Sequence, residues 1–96
     1  MTSKTKIISF LKAHKKEFQE KFGIIKIGLF GSYARDEANE NSDIDLVIET
    51  DIRNFENREN LRYFLESYFN INVDIGYFSS LRSFVKAEIS KDLIYV

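Results

Sequence analysis

Asp43 and Asp45 stand two residues apart at the head of an apolar run, IDLVIE, and Asp74 sits inside another, NVDIGY. In a strand, residues two apart point to the same side. The two carboxylates therefore project together, their Cα atoms roughly 6.5–7 Å apart at about 3.3 Å per residue. If the strand carrying Asp74 pairs beside theirs, a three-carboxylate cluster results. Such anions repel at close quarters, and a divalent cation removes that problem. An all-oxygen set, in a chain with no cysteine and one distant histidine, suits Mg²⁺ or Mn²⁺ better than zinc.

A second element faces these acids. Gly31-Ser32 ends the apolar run IIKIGLF, and ten residues separate Ser32 from Asp43. Glycine lets a ligand approach the backbone closely. Backbone N–H groups and the Ser32 hydroxyl, at the start of a short helix, form an anion site helped by the helix dipole. Arg35 adds a charge-assisted contact one turn on. Phosphate oxygens held there would also reach a metal on Asp43 and Asp45. A metal site beside a phosphate site implies phosphoryl or nucleotidyl chemistry.

Each piece alone has an ordinary reading. An Asp-x-Asp pair is usually a strand end meeting solvent, and Gly-Ser a turn. Arg35 alone is a surface cation paired with Asp36 or Glu40. Asp36, Glu37 and Glu40 read as a solvated face, His14 as a partly buried helix residue, and Tyr33 as packed on the sheet. The conjunction of turn, paired acids and third-strand aspartate favours chemistry.

The elements that must position these groups follow from periodicity. Thr2 or Ser3 caps a first helix with Ile7, Leu11, His14, Phe18 and Phe22 on one face, ended by Gly23. Residues 24–30 form a strand. Residues 32–40 suggest a short helix, 39–42 a turn, and 43–49 a second strand. Asn54 caps a helix with Leu61, Phe64, Leu65 and Tyr68 inward. Residues 71–77 form a third strand. Ser79 or Ser80 caps a last helix with Leu81, Phe84, Val85 and Ile89 inward, and the terminal LIYV is a short edge strand. This order predicts an α/β fold, a small sheet of three to four strands packed by helices. If Gly31-Ser32 and Asp43 serve one ligand, strand one must end where strand two begins. That pair is then antiparallel and the sheet mixed.

The 96 residues are read as a single domain, 1–96. An apolar share of 44% with nine phenylalanines fits a folded globule. The formal net charge of −1 carries no electrostatic footprint for duplex nucleic acid. No stretch approaches a membrane span, and the N-terminus lacks the apolar run of a signal peptide. A cytoplasmic location is expected.

GSYAR…SDIDL closely resembles the minimal nucleotidyltransferases, the MNT proteins of bacteria and archaea, within the superfamily that includes DNA polymerase beta. The likeness runs from the first helix to the terminal DLIYV. It implies the polymerase-beta-like nucleotidyltransferase fold. It also implies that Gly31 and Ser32 bind the triphosphate of ATP, that Asp43 and Asp45 bind two Mg²⁺ ions, and that Asp74 completes the cluster. The family often has glycine after the arginine, where this chain has Asp36. Many MNT proteins are antitoxins beside a HEPN-domain ribonuclease toxin. The resemblance thus implies transfer of AMP from ATP to a tyrosine hydroxyl of such a toxin. The mechanism it implies is in-line attack on the α-phosphate, with Asp74 assisting deprotonation. Two other readings stay open: a small nucleotidyltransferase acting on an antibiotic or RNA, and a non-catalytic module binding nucleotide or a partner.

Overall fold

The computed structural model describes residues 2–96. The elements are α1 (Lys4–Phe22), β1 (Ile24–Phe30), β2 (Ile44–Thr50), α2 (Phe55–Phe69), β3 (Val73–Tyr77), a 3₁₀ turn (Phe78–Ser80), α3 (Ser83–Ser90) and β4 (Ile94–Tyr95). The strands form one sheet in the order β3-β2-β1-β4. β1 pairs antiparallel with β2 and β4, while β2 and β3 run parallel. The sheet is mixed, as the turn-to-acid argument required.

Local chemistry explains the helix ends. The Ser3 hydroxyl accepts the Lys6 N–H at 3.2 Å and starts α1. Gly23, left-handed at φ 68°, ends it. Asn54 accepts the Asn57 N–H at 2.9 Å and starts α2, which Asn70 ends at φ 56°.

Alternation gives the sheet two faces. On one, Ile27 and Leu29 of β1 stand beside Ile48 and Leu46 of β2, with Ile44, Val73 and Ile75 beyond. These pack with Ile7, Leu11 and Phe18 of α1 and Leu61 and Leu65 of α2 in one core. Fully burying each such side chain contributes about 1.5–3 kcal/mol. The other face carries Phe30, Asp45 and Asp74 in one row, with Gly28, Val47 and Gly76 in the next. Leu93 and Tyr95 of the C-terminal segment lie over Gly28.

Three local expectations are corrected. Residues 32–36 make one turn, not a helix: Arg35 N–H donates to Gly31 C=O at 3.1 Å and Asp36 N–H to Tyr33 C=O at 3.2 Å. Asp36 then enters the left-handed region at φ 57°, which stops propagation. The last helix starts at Ser83 with Arg82 as an N-cap that makes no side-chain bond. Ser79 instead accepts a 2.6 Å bond from Arg53, and Phe84 is 70% exposed. Tyr68 also stays exposed, although Phe10 packs on it with ring centroids 4.0 Å apart.

Asp36 is held by Lys4 of α1, Nζ to Oδ2 3.0 Å, a solvated pair that adds little by itself. Its left-handed backbone matters more. Asp36→Val should lower stability by about 1–2 kcal/mol, and Asp36→Gly should hold or raise it. Urea denaturation midpoints at equal slope check this ordering.

Candidate functional site

Asp45 is the centre of the site. It is paired in register with Asp74 across parallel β2–β3 and with Phe30 across antiparallel β1–β2. Laterally paired residues share a face, so both carboxylates leave the sheet on the side away from α1 and α2. Asp43 stands one residue before β2, on the same alternation as Asp45. Asp43 and Asp74 are exposed and Asp45 is half-buried. The β2 head is fixed by Ile44 N–H donating to Asn72 C=O at 2.9 Å. The β3 head is fixed by Glu66 of α2, whose carboxylate accepts the Val73 N–H at 2.9 Å. Arg62 holds that glutamate at 3.1 Å.

Gly31 lies directly against Asp45: a Cβ on Gly31 would collide with Asp45 Oδ2. Its φ of 79° also suits glycine. The glycine therefore admits a carboxylate of this chain to the turn, whereas the sequence argued only for ligand approach. Its N–H is taken as well, donating to Asp92 Oδ2 at 3.2 Å. The anion-site argument from a helix N-terminus falls away, because no helix starts there. Ser32, half-buried, and Arg35, exposed, remain as phosphate-binding candidates. Arg35 pairs with Glu37 at 3.1 Å and Asp92 at 3.1 Å, not with Asp36 or Glu40.

Glu66 and Asp92 escaped the sequence reading. Glu66 looks like any solvent-facing helix acid. Asp92 meets Gly31 across 61 residues, and no local pattern encodes that. Tyr33 packs in the core at 3% exposure. Burial, with the charge of Asp43, raises its pKa. His14 stacks on Phe10 at 4.0 Å, with Nδ1 2.9 Å from the Phe10 carbonyl oxygen.

Electrostatics single out Asp45. Burial, then the charges of Asp74 and Asp43, push its carboxyl from 3.8 up to about 6, with Arg35 opposing. Among the described residues no three His, Asp or Glu side chains are drawn tightly enough to hold an ion as they stand. The donor set nonetheless fits a hard divalent cation such as Mg²⁺. It is all oxygen, it includes the partly desolvated Asp45, and it lies on one face.

The folded pKa of Asp45 is raised, so its effect on stability has a definite sign. Its contribution is fully present below about pH 4 and is lost as pH rises through about 6. Asp45→Asn should therefore be more stable than the metal-free parent at pH 7–8, with the advantage gone near pH 4. Allowing for solvent screening, the gain is about 1–2 kcal/mol. Thermal unfolding in chelator across pH 4–8 measures it.

The sequence profile of the family described as nucleotidyltransferase domain matches residues 11–96. The protein adenylyltransferase MntA of Thermococcus cleftensis is 38% identical over 97 residues, covering 100% of this chain and 98% of its own. MJ1379 of Methanocaldococcus jannaschii, named for the same activity, is 40% identical over 101 residues, 100% of both chains. A solved minimal nucleotidyltransferase superposes with a TM-score of 0.80 at 24% identity, over 97% of this chain and 95% of that one. A toxin–antitoxin structure with AMP-PNP gives 0.71 at 23%, over 98% and 72%. The tri-AMPylated HEPN toxin of Shewanella oneidensis in complex with its MNT antitoxin gives 0.62 at 22%, over 96% and 66%. These last three likenesses concern the fold. The profile match takes in all four strands, and the likeness to MntA runs end to end. This chain therefore belongs to the nucleotidyltransferase domain family and, within it, to the relatives of the protein adenylyltransferase MntA.

Proposed function

We propose that this chain transfers AMP from ATP to a tyrosine hydroxyl of a partner HEPN-domain toxin and so acts as its antitoxin. One observation carries the chemistry: Asp45 and Asp74 stand in register on neighbouring strands, with the Gly31-Ser32 turn pressed against Asp45. End-to-end likeness to a protein adenylyltransferase supports the class of acceptor. A toxin–antitoxin structure holding AMP-PNP and an AMPylated HEPN toxin held by an MNT antitoxin support the nucleotide and the partner.

In this reading Ser32 and Arg35 hold triphosphate oxygens, by a hydroxyl donor and a charged fork. Asp43, Asp45 and Asp74 are the residues that would hold Mg²⁺. Bound there, Mg²⁺ supplies positive charge that eases loss of the attacking hydroxyl's proton and offsets charge on the leaving pyrophosphate. The acceptor oxygen attacks the α-phosphorus, and the bond from that phosphorus to the bridging oxygen breaks. Asp74, exposed at the side of the row, takes the hydroxyl proton on a carboxylate oxygen. Its exposure leaves room for an acceptor brought by another protein.

Three measurements test this. With labelled ATP, Mg²⁺ and a HEPN-domain protein from the same genome, label should appear on a tyrosine of that protein. Label on RNA or an antibiotic instead would remove the toxin from the proposal. Asp74→Asn should keep much of its Mg·ATP affinity, because Asp43 and Asp45 would still hold the ion on the triphosphate side, but lose about a hundredfold or more in single-turnover transfer. A normal rate would show that Asp74 does not face the acceptor. Finally, Mg²⁺ without nucleotide should raise the melting temperature of the parent at pH 7.5 but not that of Asp45→Asn. Equal shifts would move the cation elsewhere.

A further inference from the structure

Asp92 lies between α3 and β4, far in sequence from the glycine-serine turn, yet its side chain is only 16% exposed. A single oxygen, Oδ2, accepts both the Gly31 N–H at 3.2 Å and Arg35 Nη1 at 3.1 Å. Glu37 takes Arg35 Nε at 3.1 Å. A guanidinium offers five N–H donors in a fixed fork. Two carboxylates on Nε and Nη1 fix its plane and leave the Nη2 edge for an incoming anion. A free arginine on a one-turn loop would lose much rotamer freedom on binding a phosphate. Here two ion pairs already restrict that freedom.

We propose that Asp92 is a positioning residue for the phosphate subsite. It orients Arg35 toward the triphosphate and locks the Gly31 turn beside Asp45. The proposal rests on the nucleotidyltransferase reading above and adds to it a residue outside the Gly-Ser and Asp-x-Asp motifs. It also gives the C-terminal segment a task. β4 is two residues long and α3 has no buried residue, so that segment rests mainly on the pairing of its end with β1. Its link to the site is the Asp92 carboxylate.

The test is a double-mutant cycle between Asp92→Asn and Arg35→Ala, read by calorimetry with AMP-PNP and Mg²⁺. Asn keeps the size of Asp and an oxygen for the Gly31 N–H, so the fold should survive. Asp92→Asn should bind AMP-PNP about five- to thirtyfold more weakly, the range for loss of a charge-assisted hydrogen bond. In the Arg35→Ala background the same change should matter by less than about twofold. KM for ATP should rise while kcat at saturating ATP holds. An equal loss in both backgrounds would overturn the proposal, because Asp92 would then act on the fold and not through Arg35. Unchanged affinity would overturn it too. Tighter binding would do the same and make Asp92 an anion that competes with phosphate. Absence of AMP-PNP binding by the parent would overturn the nucleotidyltransferase reading and this proposal together, whereas the other three outcomes spare that reading.

Discussion

Two like charges on adjacent parallel strands are the constraint around which this small chain is arranged. Asp45 and Asp74 are lateral neighbours, so neither can turn away from the other without leaving the face. Asp43 adds a third charge one strand step before Asp45. Water screens Asp43 and Asp74, which are exposed, but reaches Asp45 only in part. The strain of the arrangement therefore concentrates on Asp45, whose carboxyl is the one pushed well above its ordinary range. Arg35 is the cation that opposes this shift, and Asp92 and Glu37 already engage it. Negative charge therefore outweighs positive at this end of the sheet.

The sheet tolerates this because its faces divide the work. One face is apolar from β3 to β1 and is closed by α1 and α2. It supplies the burial that a chain of 96 residues needs. The opposite face is then free to carry acids at its β2–β3 end, with Val47 buried beside them and Leu93 and Tyr95 against Gly28. Because β2 and β3 are parallel, their heads lie at one edge, and Asp43, Asp45 and Asp74 arrive there together. Because β1 is antiparallel to β2, its end arrives at the same edge, bringing Gly31 and Ser32.

The turn after β1 shows how closely that edge is built. Gly31 has no room for a side chain because the Asp45 carboxylate fills the space. Asp36 closes the turn in a left-handed conformation, and Lys4 anchors it to α1. The turn is thus tied to three elements: to β2 at Gly31, to α1 at Asp36 and to the C-terminal segment at Asp92.

Much of this was legible in the residues themselves. The strands, the caps at Ser3, Gly23 and Asn54, the antiparallel β1–β2 pair and the candidate acids all follow from short-range patterns. Periodicity and capping act over a few residues, so a sequence displays them directly. The mixed sheet followed from one added premise, that Gly31 and Asp43 serve a common ligand. What the sequence misjudged had a different origin. The 32–40 helix failed because a left-handed residue and a lack of apolar periodicity ended it after one turn. The last helix kept Phe84 in water because no neighbouring surface lay there to cover it. The ownership of the Gly31 N–H and the Arg35 fork by Asp92, and the anchoring of β3 by Glu66, were decided by tertiary structure alone. Those bonds join residues whose proximity exists only once the sheet has closed, and hydrogen-bond partners are chosen by distance in space, not by spacing along the chain.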